Sequence, residues 1–285
     1  MDKKKILLLI VIFDKELHQS STIRSIEKLG VIDKKFNFEI IAYNNGPREI
    51  ECTYPFQDSI KFSVVNYLKN KPLSFLYNEI LSENTDKDYF IILDDDTELN
   101  KSFFINIDLR ADVMAPIIES SNKVHYPLIN GTIAKEIGYL PKKNKEILSI
   151  GSGLIISNRI VKLMTYNGGK VFDERFSLYG VDISFFKKLN ILIESRDDIA
   201  VLLHCRISHS LSRTTERKTK WRSRERLIDY ILSLNIYQES GLTKIYLITK
   251  MVIKKAIQLD FYSIYLIIYL LIKKSHPKCV KYINR

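Results

Sequence analysis

The first hundred residues carry their apolar side chains in short unbroken runs, whereas the residues after Leu242 carry them in longer segments punctuated by lysines. Ile6 to Phe13 is continuously apolar and reads as a buried strand of a parallel sheet, since such strands are apolar on both faces rather than alternating. Ser20 to Leu29 places apolar or small residues at helical spacing and stops at Gly30. Phe38 to Tyr43 predicts a second strand, ended by the turn formers Asn44-Asn45-Gly46-Pro47. Residues 60–65 predict a third strand, Pro72 to Ser82 a helix with proline in its first turn, and Tyr89-Phe90-Ile91-Ile92-Leu93 a fourth strand. Strands alternating with helices in this rhythm predict an α/β fold with a mainly parallel sheet flanked by helices.

Beyond Asp96 the alternation loosens. Residues 111–118 and 147–157 are strand-like, and the second run contains Gly151-Ser152-Gly153, where glycines permit a bend or a close backbone approach to a ligand. Asn167-Gly168-Gly169 marks a loop, and Tyr179-Gly180-Val181-Asp182 opens a helix reaching about Leu189. After His209 the chain turns basic, with Arg213, Arg217, Lys218, Lys220, Arg222, Arg224 and Arg226 around Trp221. Phe261 to Ile272 is nearly all aromatic or aliphatic yet too short to span a bilayer. It suits a helix packed on the rest of the protein or one lying in a bilayer surface with its lysines at the headgroups. The change in character predicts a first domain over 1–212 and a basic, helical extension over 213–285.

Charge narrows the partners. Lys plus Arg number 44 against 33 Asp plus Glu, a net charge of +11, so an anionic partner is expected: a phosphorylated substrate, an anionic membrane surface or nucleic acid. Charge alone gives only non-specific nucleic-acid affinity, and no recognised motif accompanies the basic stretch, so no specific nucleic-acid binding is expected. Cys52, Cys205 and Cys279 are too few and too far apart for a disulfide framework or a Cys-x-x-Cys metal site, which points to a reducing cytosol. Lys3-Lys4-Lys5 before an apolar run imitates a signal peptide, but Asp14-Lys15-Glu16 follows with no small-residue cleavage site.

Asp94, Asp95 and Asp96 emerge where the fourth strand should leave the sheet, and ligands of open α/β sheets bind beyond the carboxyl ends of strands. Like charges this close call for a counter-charge, commonly a divalent cation facing a phosphate, or else form a solvated acidic turn. An EF-hand is excluded, because Leu99 and Ile105 occupy the positions that need glycine and glutamate.

The order Asn-Asn-Gly-Pro, Leu-Tyr-Asn, Ile-Leu-Asp-Asp-Asp-Thr-Glu-Leu, Gly-Ser-Gly-Leu-Ile, then Phe-Asp-Glu-Arg-Phe before Tyr-Gly-x-Asp resembles the family 2 glycosyltransferases of GT-A fold over residues 6 to about 210. The nearest likeness is to bacterial enzymes that build capsule, O-antigen or other surface polysaccharide, rhamnosyltransferases among them. The resemblance implies a nucleotide diphosphate sugar donor, a glycan or lipid-linked acceptor, and Mn²⁺ or Mg²⁺ as cofactor. It implies Asp96 as metal ligand, Asp94 facing the ribose or sugar, and Asp182 as the base of an inverting single displacement, although Val181 stands where relatives carry glutamate. His209 matches a late histidine that reaches the metal or diphosphate, and Asn44 stands where many relatives have an aspartate on the nucleotide base. Asn78 and Arg213 are implied donor contacts, while Gly151, Ser152, Gly153 and Tyr179 border the sugar or acceptor. Asp95 is expected to face inward or to solvent and to tolerate substitution best. A cytoplasmic enzyme, peripheral on the inner face of the membrane, is the corresponding location. The competing readings are a nucleotidyltransferase, disfavoured by the lack of glycine in residues 13–22, and a degenerate glycan- or nucleotide-binding protein.

Overall fold

The computed structural model describes residues 3–30, 35–52, 56, 60–140, 145–210, 219–238 and 240–284. Its strands are β1 (Lys4–Ile12), β2 (Phe36–Asn44), β3 (Lys61–Asn66), β4 (Tyr89–Asp94), β5 (Thr97–Glu98), β6 (Val113–Ser120), β7 (Lys123–Tyr126), β8 (Leu128–Ile129), β9 (Thr132–Ile133), β10 (Gly138–Tyr139), β11 (Ile147–Leu148), β12 (Leu154–Ser157) and β13 (Val201–His209). The α-helices are α1 (Ser21–Leu29), α2 (Leu73–Glu83), α3 (Lys101–Ile105), α4 (Asn158–Thr165), α5 (Gly180–Ser195), α6 (Lys220–Tyr237), α7 (Gly241–Ile257), α8 (Phe261–Lys273) and α9 (Pro277–Ile283).

The chain divides into two compact units. The first comprises Met1–Lys71, Ile80–Gly169 and Lys188–Glu216, and every strand above belongs to it. Its main sheet runs β10-β13-β6-β12-β4-β1-β2-β3, with β5 on β13 and β7 on β6, while β11, β8 and β9 form a small separate sheet. The pairs β4–β1, β1–β2 and β2–β3 are parallel, as is β6–β13, and β12 runs antiparallel between β4 and β6. The expected mainly parallel α/β sheet is therefore present. Ile6 to Ile12 are all buried, in keeping with their unbroken apolar run. On one face Ile6, Leu8 and Ile10 join Ile23 and Ile26 of α1 and Phe103 and Phe104 of α3 in a single core.

The run 147–157 is not one strand. Ile147 and Leu148 pair with β8, and Gly151–Gly153 turns the chain before β12 enters the main sheet. Gly153 takes φ +79°, and a Cβ there would press on Pro116, Ile207 and Phe103, so only glycine makes this corner. The second unit comprises Pro72–Glu79, Lys170–Lys187 and Arg217–Arg285 and is helical. Leu266, Ile267 and Leu270 of α8 are buried in it, with Leu227, Ile228 and Ile231 of α6.

Candidate active site

Three parallel strands end side by side at the site: the register pairs Val11 with Asp94 and Ile12 with Asn44. At the end of β4 the chain turns through Asp95 and Asp96 into β5, which pairs with the last residues of β13, Thr97 opposite His209. The turn is held by hydroxyls from the start of α1. Thr22 Oγ1 donates to the Asp94 carbonyl at 2.5 Å and accepts from the Thr97 N–H at 2.9 Å, while Ser20 and Ser21 donate to the Asp95 carbonyl. Ser20 also caps α1 by accepting from Ile23 N–H, so one residue fixes both the helix and the turn. The Asp95 carboxylate accepts from Lys15 Nζ at 2.5 Å and from the Phe13 N–H at 3.3 Å. That ion pair ties it to the segment after β1, so Asp95 braces the turn.

Asp94, Asp96 and His209 each offer a ligand atom, all within 4.8 Å of one another, the one such set among the described residues. His209 Nδ1 lies 3.3 Å from Asp96 Oδ1, and His209 Nε2 lies 3.8 Å from Asp94 Oδ2. Thr97 Oγ1 sits 3.1 Å from His209 Nδ1 and bonds the Ser152 hydroxyl, which also accepts from the Asp94 N–H at 3.3 Å. Ser152 thus belongs to the same cluster, with Gly151 and Gly153 shaping its loop.

Burial, then the Asp95 charge, pushes Asp94 up to about 6, with Lys15 opposing. Burial likewise raises Asp96 to about 6; His209 opposes the shift and the neighbouring carboxylates add to it. Burial lowers His209 from its ordinary value, which keeps the imidazole neutral near pH 7 and able to ligate. Two carboxylate oxygens and one imidazole nitrogen form a donor set suited to Mn²⁺ or Mg²⁺, leaving coordination positions for phosphate oxygens and water. A divalent charge would also relieve the repulsion that raises both aspartates.

Asn44 reaches the same end of the sheet, but its side chain is committed locally. Its Nδ2 donates to the Arg48 carbonyl and to Asn66 Oδ1, and its Oδ1 accepts from the Gly46 N–H. Asn45 clamps Lys71 through both backbone groups, at 2.7 and 2.9 Å. Gly46 has φ +93° and lies against the Leu68 backbone, where a Cβ would come within 2.7 Å of the carbonyl oxygen. The Asn-Asn-Gly-Pro cluster therefore shapes the loop beyond β2, a role its turn-forming composition signals.

Asn78, Tyr179 and Asp182 lie in the second unit. Asn78 exchanges hydrogen bonds with the Phe172 backbone at 2.9 and 3.0 Å, holding the Phe-Asp-Glu-Arg-Phe segment. Within that segment Asp173 accepts from Arg175 through both oxygens and from the Tyr237 hydroxyl, which together hold its carboxyl below the usual range despite burial. Asp182 stands half-buried in the first turn of α5, where the helix dipole favours a carboxylate. Beneath it Asp229 of α6 faces the N–H groups of Tyr179 and Gly180, its carboxyl pushed well above the usual range by burial and by Glu225. Arg226 lies 5.3 Å from the Tyr179 ring centroid. Arg213 lies outside the described residues.

Residues that reading the sequence did not find are Thr22, Thr97 and Lys15. Ser20, Ser21, Thr22 and Ser25 form a hydroxyl-rich stretch one strand away from the aspartates, and that density was the available signal.

No protein-family model matches the chain, and no curated protein matches it. Solved structures do. S. aureus TarS aligns with TM-score 0.50 at 16% identity, covering 84% of this chain and 41% of that one. TarS 1–349 in complex with UDP-GlcNAc aligns with TM-score 0.50 at 14% identity, covering 84% of this chain and 69% of that one. The chain thus spans well under two thirds of the full TarS structure. With the strand order above, the likeness defines a GT-A fold with a helical C-terminal region.

Proposed function

We propose that this chain is an inverting, metal-dependent glycosyltransferase that moves a hexosyl or deoxyhexosyl group from a nucleotide diphosphate donor to a glycan or lipid-linked acceptor in building bacterial surface polysaccharide. The observation that carries the proposal is the Asp94–Asp96–His209 cluster at the carboxyl end of a central strand in a GT-A sheet. The UDP-GlcNAc bound to TarS 1–349 supports a donor of the same nucleotide-sugar class.

In this reading Asp96 and His209 hold a divalent cation with Asp94 close enough to complete the set, and Asp94 also faces the ribose or sugar. The cation, when bound, supplies Lewis-acid stabilisation of the departing diphosphate. Asp182 accepts the proton of the acceptor hydroxyl as that oxygen attacks the anomeric carbon. The bond from that carbon to the diphosphate oxygen breaks, the glycosidic bond forms, and single displacement inverts the centre. Ser152 and Thr97 orient the acids and the imidazole through their hydroxyl chain. Asn44 and Asn78 act on the donor through the loops they hold, Gly151, Gly153 and Tyr179 are assigned to the vicinity of the sugar or acceptor, and Arg213 is assigned to the donor. The catalytic domain in this reading is 1–212.

A panel of nucleotide-sugars with and without Mn²⁺, read by thermal stabilisation and by slow hydrolysis, tests the proposal. One donor should stabilise the protein only with the cation present, and Asp96→Ala should remove that effect. Failure of every nucleotide-sugar to stabilise or be hydrolysed would reject it.

A further inference from the structure

The second unit contains a helix, α7, with no buried side chain among its 17 residues. Leu242, Tyr246, Ile253 and Ile257 fall at i, i+4, i+11 and i+15, one stripe of a 3.6-residue period, and Ile257 is 78% and Leu242 84% exposed. In α8 the same thing happens on one face only. Leu266, Ile267 and Leu270 are buried, while Phe261, Tyr265, Ile268 and Ile272, at i, i+4, i+7 and i+11, are open to solvent, Ile272 at 72%. Scattered apolar residues on a surface are ordinary, but two consecutive helices each with an outward apolar stripe are not.

We infer that the outward stripes of α7 and α8 dock onto an anionic lipid bilayer. The charge pattern selects that occupant. Residues 241–284 contain eight lysines and a single acid, Asp260, which is itself paired with Lys255 at 3.2 Å. Exposed Lys250 and Lys254 run along one edge of the α7 stripe, and exposed Lys273 and Lys274 end α8, the arrangement that sets apolar side chains among acyl chains and ammonium groups among lipid phosphates. Tyr246, Tyr262 and Tyr265 add the aromatic residues favoured at that boundary. No helix among the described residues is long and apolar enough to cross a membrane, so the fit is to a helix pair lying in the surface. A second copy of the chain fits poorly, because a two-fold pairing through these faces would set lysines against lysines. Nucleic acid fits poorly too, because the stripes offer phosphates nothing.

Flotation of the full chain with phosphatidylcholine vesicles, with and without phosphatidylglycerol, tests the assignment without any nucleotide, so its failure is separate from failure of the transferase reading. The wild-type protein should float with the anionic vesicles and far less with the neutral ones. Ile253→Ser with Ile257→Ser should lower binding at least about tenfold. Lys250→Gln with Lys254→Gln should lower it about fivefold per lysine and flatten its salt dependence. Both double variants should keep the wild-type melting temperature, since the replaced side chains face solvent. The inference is overturned if the protein does not float with anionic vesicles, or if neither double substitution changes flotation. It is equally overturned if the isoleucine pair instead breaks a dimer in solution, or if DNA binds as tightly as the vesicles and only the lysine pair matters.

Discussion

The turn at Asp94–Thr97 uses four hydroxyl side chains, those of Ser20, Ser21, Thr22 and Ser152, and the ammonium of Lys15 to hold its shape, whereas α7 runs for 17 residues without burying one. Both are polar-apolar boundaries of the molecule, yet they are built in opposite ways. Bringing carboxylates together raises their free energy, and the arrangement persists only where surrounding bonds over-determine it. A helix with an open apolar stripe needs no such bracing, because little of its own unit depends on the side chains it presents outward. Rigidity marks the place where charge must be positioned; openness marks the place left for something else to cover.

The largest expected effects are chemical. Asp182→Asn should lower turnover about 10²–10⁴-fold while leaving donor affinity nearly unchanged, measured by single-turnover kinetics beside donor titration. Unchanged turnover would remove Asp182 from the base role. Next comes the bracing itself. Thr22→Val strands the Asp94 carbonyl and the Thr97 N–H in a buried place and should cost about 2–4 kcal/mol in urea unfolding, with weakened Mn²⁺ binding. A cost near zero would show that the turn does not depend on α1.

The third effect is a pH dependence. With Asp94 and Asp96 raised to about 6 from an ordinary 3.8, the folded protein without cation holds more protons than the unfolded chain between those values. Its stability should therefore fall as pH rises through that window. A cation needs the ionised acids, so Mn²⁺ affinity and Mn²⁺-induced thermal stabilisation should grow from pH 5 to 7. A flat profile in calorimetry would separate these acids from the metal. The smallest effect is the control: Thr249→Val, the same change on the exposed side of α7, should stay within about 0.5 kcal/mol of wild type. A loss as large as that of Thr22→Val would erase the contrast between the two regions.

Much of the sheet was legible because buried parallel strands need unbroken apolar runs, and β1, β2, β3 and β4 fall within a residue or two of the runs that predict them. The aspartates were legible for a related reason, since a strand that ends in three acids must leave the core there. What was hidden is long-range. Thr22 and Thr97 are 75 residues apart, and a hydroxyl that braces a distant turn looks in sequence like any residue near a helix start. Strand β13 escaped because His204, Arg206 and His209 interrupt its apolar pattern, so the element carrying the imidazole was read only as the end of a domain. The run 147–157 misled for the opposite reason: its apolar residues are continuous enough to suggest one strand, and only the conformation of Gly153 shows that the chain turns.

Pairing of Thr97 with His209 has a consequence for how the protein is made. The aspartates leave the ribosome more than a hundred residues before the histidine, and until β13 has joined β6 the site has acids but no imidazole. A partly made or clipped chain that stops short of β13 therefore lacks one of the three ligand atoms, however the rest of it folds. In the proposed function, cation affinity would then report whether β13 has joined β6, appearing only once His209 lies opposite Thr97.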